Sequence, residues 1–226
     1  MTLQIAMICD EGWLLASDRR RTESSALRVR SSTDKIVVSA KLGIAYSCFG
    51  DDCAVLVGDE LMSNLPSPNP ESGEAFRLWL IALGNKTWER LTKNGVTAGI
   101  SASHTSRGLI ICLENSPAKF WLLGIGQQSN AVPITDKYVS GDSRNTARFF
   151  VERYHSADLA LSRLMLLAVH TIATAEKLNP AAVGGGIDMV ICKDGEIEVV
   201  SLHAMEALIE RSRRLDNRIR RNVLSA

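Results

Sequence analysis

Apolar positions along the chain follow two different periods. Residues 2–8 and 13–17 are short apolar segments separated by Asp10, Glu11 and Gly12, and a three-residue connection ending in a glycine predicts a β-hairpin that begins at residue 2. Strands are predicted again at 35–39 and 44–48, so the first part of the chain reads as all β. From Asp51 onward Ala54, Val57, Gly58, Leu61, Met62 and Leu65 recur at three- and four-residue steps, the stripe of a helix. Pro66, Pro68 and Pro70 cannot continue it. A second helix is predicted over 74–92, apolar almost all round at 76–83, as for a helix covered on more than one side.

Strand patterns return at 96–102, 109–114 and 119–123, followed by helical patterns at 146–154 and 157–178. Residues 187–192 and 196–201 flank Lys193-Asp194-Gly195, and Asp-Gly between apolar runs is a strong hairpin signal. The last pattern, 203–223, is an amphipathic helix. The order is strands, two helices, strands, two helices, strands. Two antiparallel sheets can then pack face to face with helices outside each, which predicts a single α+β domain over 1–226, a four-layer αββα sandwich.

Composition narrows the class of protein. With 46% hydrophobic and 23% charged residues the chain belongs among globular proteins, and a net charge of +1 gives no global attraction to nucleic acid or anionic lipid. Apolar runs such as 164–169 fall far short of the roughly 18–20 residues a bilayer requires, so no membrane partner is expected. Asp10 and Glu11 interrupt any leader-like run, which predicts a cytoplasmic protein. The five cysteines (Cys9, Cys48, Cys53, Cys112 and Cys192) are scattered, without a C-x-x-C pair, and the four histidines form no metal-binding pattern. Free thiols and neither a metal nor a cofactor are expected.

The chemistry concentrates near the amino end. Thr2 follows Met1, and removal of that methionine would leave a threonine with a free amine. An α-amine with a reference pKa of about 7.7–8.0 can take the proton from the neighbouring hydroxyl near neutral pH. Threonine is common after an initiator methionine, so the context must carry the reading. That context is Leu15-Ala16-Ser17-Asp18-Arg19-Arg20-Arg21-Thr22, with Lys35-Ile36-Val37-Val38 beginning the next strand. Without the motif, Asp18 and Lys35 would read as a surface ion pair worth about 0–1 kcal/mol.

This segment resembles the proteasome β-subunit family of N-terminal threonine hydrolases, including its bacterial homologues of the HslV-like, ancestral β-subunit and betaproteobacterial types. Counted from Thr2, the family's Asp, Arg and Thr fall on Asp18, Arg20 and Thr22 without a gap. Its lysine falls on Lys35 with one residue inserted, and its glycine before the first helix falls on Gly50. Gly184-Gly185-Gly186 and the strand and Asp-Gly hairpin behind it look like the family's glycine-rich turn.

The resemblance implies a threonine-type peptidase in which Thr2 is nucleophile and base. Lys35 would favour its neutral amine, Asp18 would hold that lysine, Arg20 would fix the Asp18 loop, and the Gly50 N–H would face the oxyanion. Ser140, in Val139-Ser140-Gly141, would support the threonine amine, and Arg21, Thr22 and Cys48 would border the substrate. The implied partners are peptides or unfolded proteins, a homo-oligomeric ring (stacked rings), and an ATP-dependent unfoldase or another cap. Asn179-Pro180 and Val183 depart from the acid and serine the family carries near its glycine turn. That departure leaves open a catalytically inactive ring scaffold. The helix at 203–223 carries an excess of three positive charges over residues 206–221, which suits an acidic partner surface, a neighbouring subunit or a polyanion, although nucleic acid is not the expected partner.

Overall fold

The computed structural model describes residues 3–22, 29–30, 35–39, 43–49, 63, 73–93, 106–112, 119–126, 128–141 and 144–224, with the backbone alone at 21–22, 29–30, 48–49, 91, 106–112 and 223–224. Strands β1 (Leu3–Cys9) and β2 (Gly12–Asp18) form the expected hairpin, through two residues rather than three, because Gly12 is already paired with Cys9. A Cβ on Gly12 would collide with the backbone oxygen of Cys192, so only glycine fits there. Short strands β3 (Arg21–Thr22) and β4 (Val29–Arg30) pair with each other. Then come β5 (Ile36–Ser39) and β6 (Ile44–Phe49). The helix and strand predicted over 51–65 and 96–102 lie outside the described residues, apart from helical Ser63.

Helix α1 (Gly73–Lys93) precedes β7 (Ser106–Cys112), β8 (Lys119–Ile125), β9 (Asn130–Ile134) and β10 (Lys137–Gly141). Helices α2 (Arg144–Tyr154) and α3 (Leu161–Leu178), the hairpin β11 (Ile187–Lys193) and β12 (Glu196–Val199), and helix α4 (Leu202–Leu224) complete the order. The predicted start of α3 at 157 is corrected to Leu161. Ala160 offers no side-chain cap there, and the Glu11 carboxylate from the β1–β2 turn accepts the Leu161 N–H at 3.0 Å instead.

One sheet has the order β10-β1-β2-β11-β12 and the other β5-β6-β7-β8-β9, and every pairing within them is antiparallel. Alternation along β1 and β2 sends Leu3, Ile5, Met7, Leu14 and Ala16 toward α3, while Ala6 and Leu15 meet Ala45, Phe120 and Val190 between the sheets. Both faces are buried, which is why these strands read as nearly continuous apolar runs. On the outer side of the second sheet, Phe76 and Leu80 of α1 pack against Tyr46, Trp121 and Leu123. The expected four-layer α+β sandwich is therefore the observed arrangement, with α4 packed further out on α3. Leu78 of α1 is more than half exposed, so the cover predicted all round this helix is partial within one chain.

Strands β9 and β10 were not predicted. Each is the outer strand of its sheet, where Pro133 is tolerated in β9 and polar residues interrupt the alternation. Cys9 and Cys192 are buried free thiols, and burial pushes the Cys192 pKa up to about 11, so it is an inert packing group at neutral pH. No helix among the described residues is long and apolar enough to cross a membrane.

Candidate active site

Strand β2 ends in a carboxylate with no exposure to solvent. A buried charge persists only when it is paired and hydrogen-bonded, and Asp18 is both. Oδ1 accepts the Leu3 N–H at 2.8 Å and the Lys35 ammonium at 2.9 Å. Oδ2 accepts the N–H groups of Arg20 at 3.2 Å and Gly184 at 3.1 Å. A carboxylate has about four lone-pair sites, and all four are occupied here.

Lys35 stands immediately before β5, the outer strand of the second sheet, and its side chain crosses to the first sheet, where it is only 9% exposed. Its own N–H crosses too, donating to Asp188 Oδ2 at 2.9 Å. Asp188 is paired in register with Ser17, on the face of β11 that meets the other sheet, and its Oδ1 lies 3.4 Å from Arg19 Nε. Asp18 and Asp188 thus grip one residue of the opposite sheet by side chain and by backbone.

The glycine turn closes the back of the site. Arg19 donates its N–H toward the carbonyls of Gly184 and Gly186, at 3.1 and 3.0 Å. Gly184 has φ +142°, and a Cβ there would collide with the Glu176 carboxylate and stand 3.0 Å from Arg20 Nη2. The contact between Arg20 and Asp18 comes from the Arg20 backbone, and its buried Nε has no hydrogen-bond partner among the described residues. Val183 is fully buried in the core beneath the turn.

Ser140 is drawn in by register, since β10 places it opposite Gln4 of β1. Its Oγ donates to Gln4 Oε1 at 3.2 Å, and Gln4 Nε2 donates to Ser47 Oγ on β6. Gln4 is wholly buried, and the chain Ser140, Gln4, Ser47 links the sheets beside the Asp18 and Lys35 pair. Thr2 and Gly50 lie outside the described residues. Arg21 and Thr22 are described only by their backbone in β3, and Cys48 only by its backbone in β6, opposite Gly108.

The site contains groups the motif did not name: Asp188, Gln4, and the Gly184 N–H. Asp188 carried a readable signal, because it shares a strand face with Val190 and Cys192 in an otherwise apolar alternation. A lone acid pointing between two sheets requires a partner. Chemically, the arrangement fixes a cation and its counter-charge beside the Leu3 nitrogen, the atom to which Thr2 is bonded. Among the described residues no group of His, Cys, Asp and Glu could hold a metal ion.

No family model and no curated protein matches the chain. Solved structures do. Anbu (ancestral beta-subunit) from Yersinia bercovieri is similar at TM-score 0.74 and 15% identity, over 99% of this chain and 97% of that one. The Anbu (Gly-1) mutant from Hyphomicrobium sp. strain MC1 is similar at TM-score 0.73 and 14% identity, covering 100% and 98% of the two chains. Anbu from the same strain follows at TM-score 0.71, with 15% identity and coverage of 99% and 97%. Membership in the proteasome β-subunit family, expected from the motif, is corrected by these findings. With no family model matching and identities of 14–15%, the likeness is one of fold, to the ancestral beta-subunits.

Proposed function

We propose that the protein is a cytoplasmic threonine-type peptidase whose nucleophile is Thr2 after loss of Met1. The observation that carries this reading is the buried Asp18–Lys35 pair, one of whose carboxylate oxygens also binds the Leu3 N–H. In this reading the Thr2 α-amine takes the proton of its own hydroxyl as Oγ1 attacks the peptide carbonyl. The Lys35 charge favours the neutral amine before attack and the developing negative charge during it, in a site screened from water. The Gly50 N–H receives the oxyanion. The amine then returns its proton to the leaving nitrogen, and water hydrolyses the acyl-threonine. Asp18 holds Lys35, Arg20 and Ser140 support the surrounding loop and strand, and Arg21, Thr22 and Cys48 border the substrate. The substrates are peptides or unfolded proteins, enclosed by a homo-oligomeric, stacked ring that an ATP-dependent unfoldase or another cap supplies.

A β-lactone or epoxyketone tests this directly. Intact mass should show one covalent adduct on Thr2 in protein that has lost Met1, and Thr2→Ala should abolish it. Met1 removed and Thr2 unmodified would overturn the proposal.

A second reading, an inactive ring scaffold, is favoured by the engagement of Ser140 with Gln4 and by the buried Val183, which stands directly before the glycine turn where the family carries a serine. It requires assembly without turnover, and a peptidase activity lost in Thr2→Ala with the oligomer intact would remove it.

A further inference from the structure

We propose that Asp188 is a positioning residue for the Lys35 ammonium, holding the backbone of Lys35 so that its side chain lies over Asp18. The inference deepens the peptidase reading and rests on it for its catalytic consequence, though not for its geometry. Lys35 stands immediately before an outer strand, which among the described residues pairs with β6 alone. The pairing between β5 and β6 begins at Ile36, so it does not hold the Lys35 N–H, and Asp188 Oδ2 accepts that N–H at 2.9 Å instead. The acceptor belongs to the facing sheet. The bond therefore fixes where β5 starts relative to β2, whose last residue is Asp18.

The other Asp188 oxygen faces Arg19 Nε at 3.4 Å, and the Arg19 N–H is held by the carbonyls of Gly184 and Gly186. One carboxylate thus ties together the strand that carries Lys35, the residue after Asp18, and the turn whose Gly184 N–H also binds Asp18. A lysine side chain has four rotatable carbons and many rotamers, so its ammonium is placed only as well as its backbone is. A displacement of about 1 Å at a catalytic group can cost on the order of 100-fold in rate.

The test compares Asp188→Ala and Asp188→Asn with the natural protein by two readouts. The first is the rate at which acetic anhydride acetylates Lys35 relative to Lys137, which is held at the surface by Asp136, followed by peptide mass spectrometry. The second is the rate of Thr2 capture by a β-lactone as a function of lactone concentration. Asp188→Ala should speed Lys35 acetylation by about fivefold or more over the reference and slow the maximal capture rate about tenfold or more, with little change in half-saturation. Asp188→Asn keeps an acceptor for the Lys35 N–H without the charge and should recover most of both.

Lys35 acetylation within about twofold of the natural protein in Asp188→Ala, or an equal rise at Lys137, would overturn the inference. If Asp188→Ala does not fold, Asp188→Asn decides alone: a newly reactive Lys35 at an unchanged melting temperature overturns it, and a protected one supports it. If the natural protein is never captured, the peptidase reading fails while the acetylation ratio still judges Asp188.

Discussion

Gly184 donates its N–H to Asp18 Oδ2 at 3.1 Å from the far side of the glycine turn, so the turn is part of the carboxylate's hydrogen-bond shell. The conformation that allows this, φ +142°, excludes a side chain, and a Cβ would also collide with Glu176. Gly184→Ala should cost about 1–3 kcal/mol from backbone strain and slow covalent capture of Thr2, as the shifted turn carries its N–H away from Asp18. Gly195→Ala is the control. Gly195 has φ +84° but meets nothing within 4 Å, so it carries strain alone and should leave capture unchanged. Melting temperatures and capture rates of the two variants separate the effects.

Asp18→Asn should be the most damaging single change in the site. All four contacts to the carboxylate among the described residues come from donors, and an amide NH2 can accept from none of them. Breaking a buried pair by removing one partner costs about 3–5 kcal/mol. For a chain of this size that is a fall in melting temperature on the order of 10 °C. Lys35→Met should be milder in stability, since Asp18 keeps three N–H donors, yet should lower capture by at least about 100-fold. Thermal melts and intact-mass kinetics on the same preparations check both. Equal stability losses would mean the lysine, and not the backbone donors, satisfies the carboxylate.

How far the sequence discloses this architecture depends on burial. Strands β1, β2, β8 and β11 are covered on both sides, and their apolar runs give them away. Outer strands β9 and β10 have one lateral edge unpaired among the described residues and tolerate Pro133 and polar residues, so their pattern is weak. In the site, the approach of Asp18 to Lys35 is what the family resemblance implied, and the structure has the pair buried instead of at the surface. The N–H groups of Leu3, Arg20 and Gly184 were not legible, because every residue but proline carries one and only the fold aims it. Asp188 was legible as an inward acid, but its partner lies 153 residues away on another sheet.

Ser140→Ala probes the polar bridge between the sheets. The change removes a buried hydroxyl that donates to Gln4 Oε1 and should cost about 1 kcal/mol by urea unfolding. Because Gln4 also donates to Ser47, the double variant Ser140→Ala with Ser47→Ala should show a coupling of about 0.5 kcal/mol or more. Capture of Thr2 should fall by no more than about tenfold, against at least about 100-fold for Lys35→Met. A larger loss in Ser140→Ala would give the serine a direct part in handling the Thr2 amine.

His170 ties α4 to α3 in a manner that depends on pH. Its Nδ1 lies 3.0 Å from Ser212 Oγ and 3.8 Å from Asp216 Oδ1, and its ring stands edge-on to Phe150 at 5.5 Å. Burial beneath α4 pushes its pKa down, the Asp216 carboxylate pulls it up, and Lys177, itself paired with Asp216, pushes it down again, leaving it below the ordinary histidine value. The unfolded chain, titrating near 6.5, therefore binds this proton more readily than the folded one. The neutral ring's contribution is complete above about pH 6.5 and is lost as pH falls from there toward the lower folded-state pKa. Melting temperature should decline between pH 7 and 5.5, more steeply in the natural protein than in His170→Gln, which cannot take up the proton. Asp216→Asn should steepen the decline, since it removes the charge that favours the imidazolium. Parallel profiles for the natural protein and His170→Gln would assign the acid sensitivity to other groups.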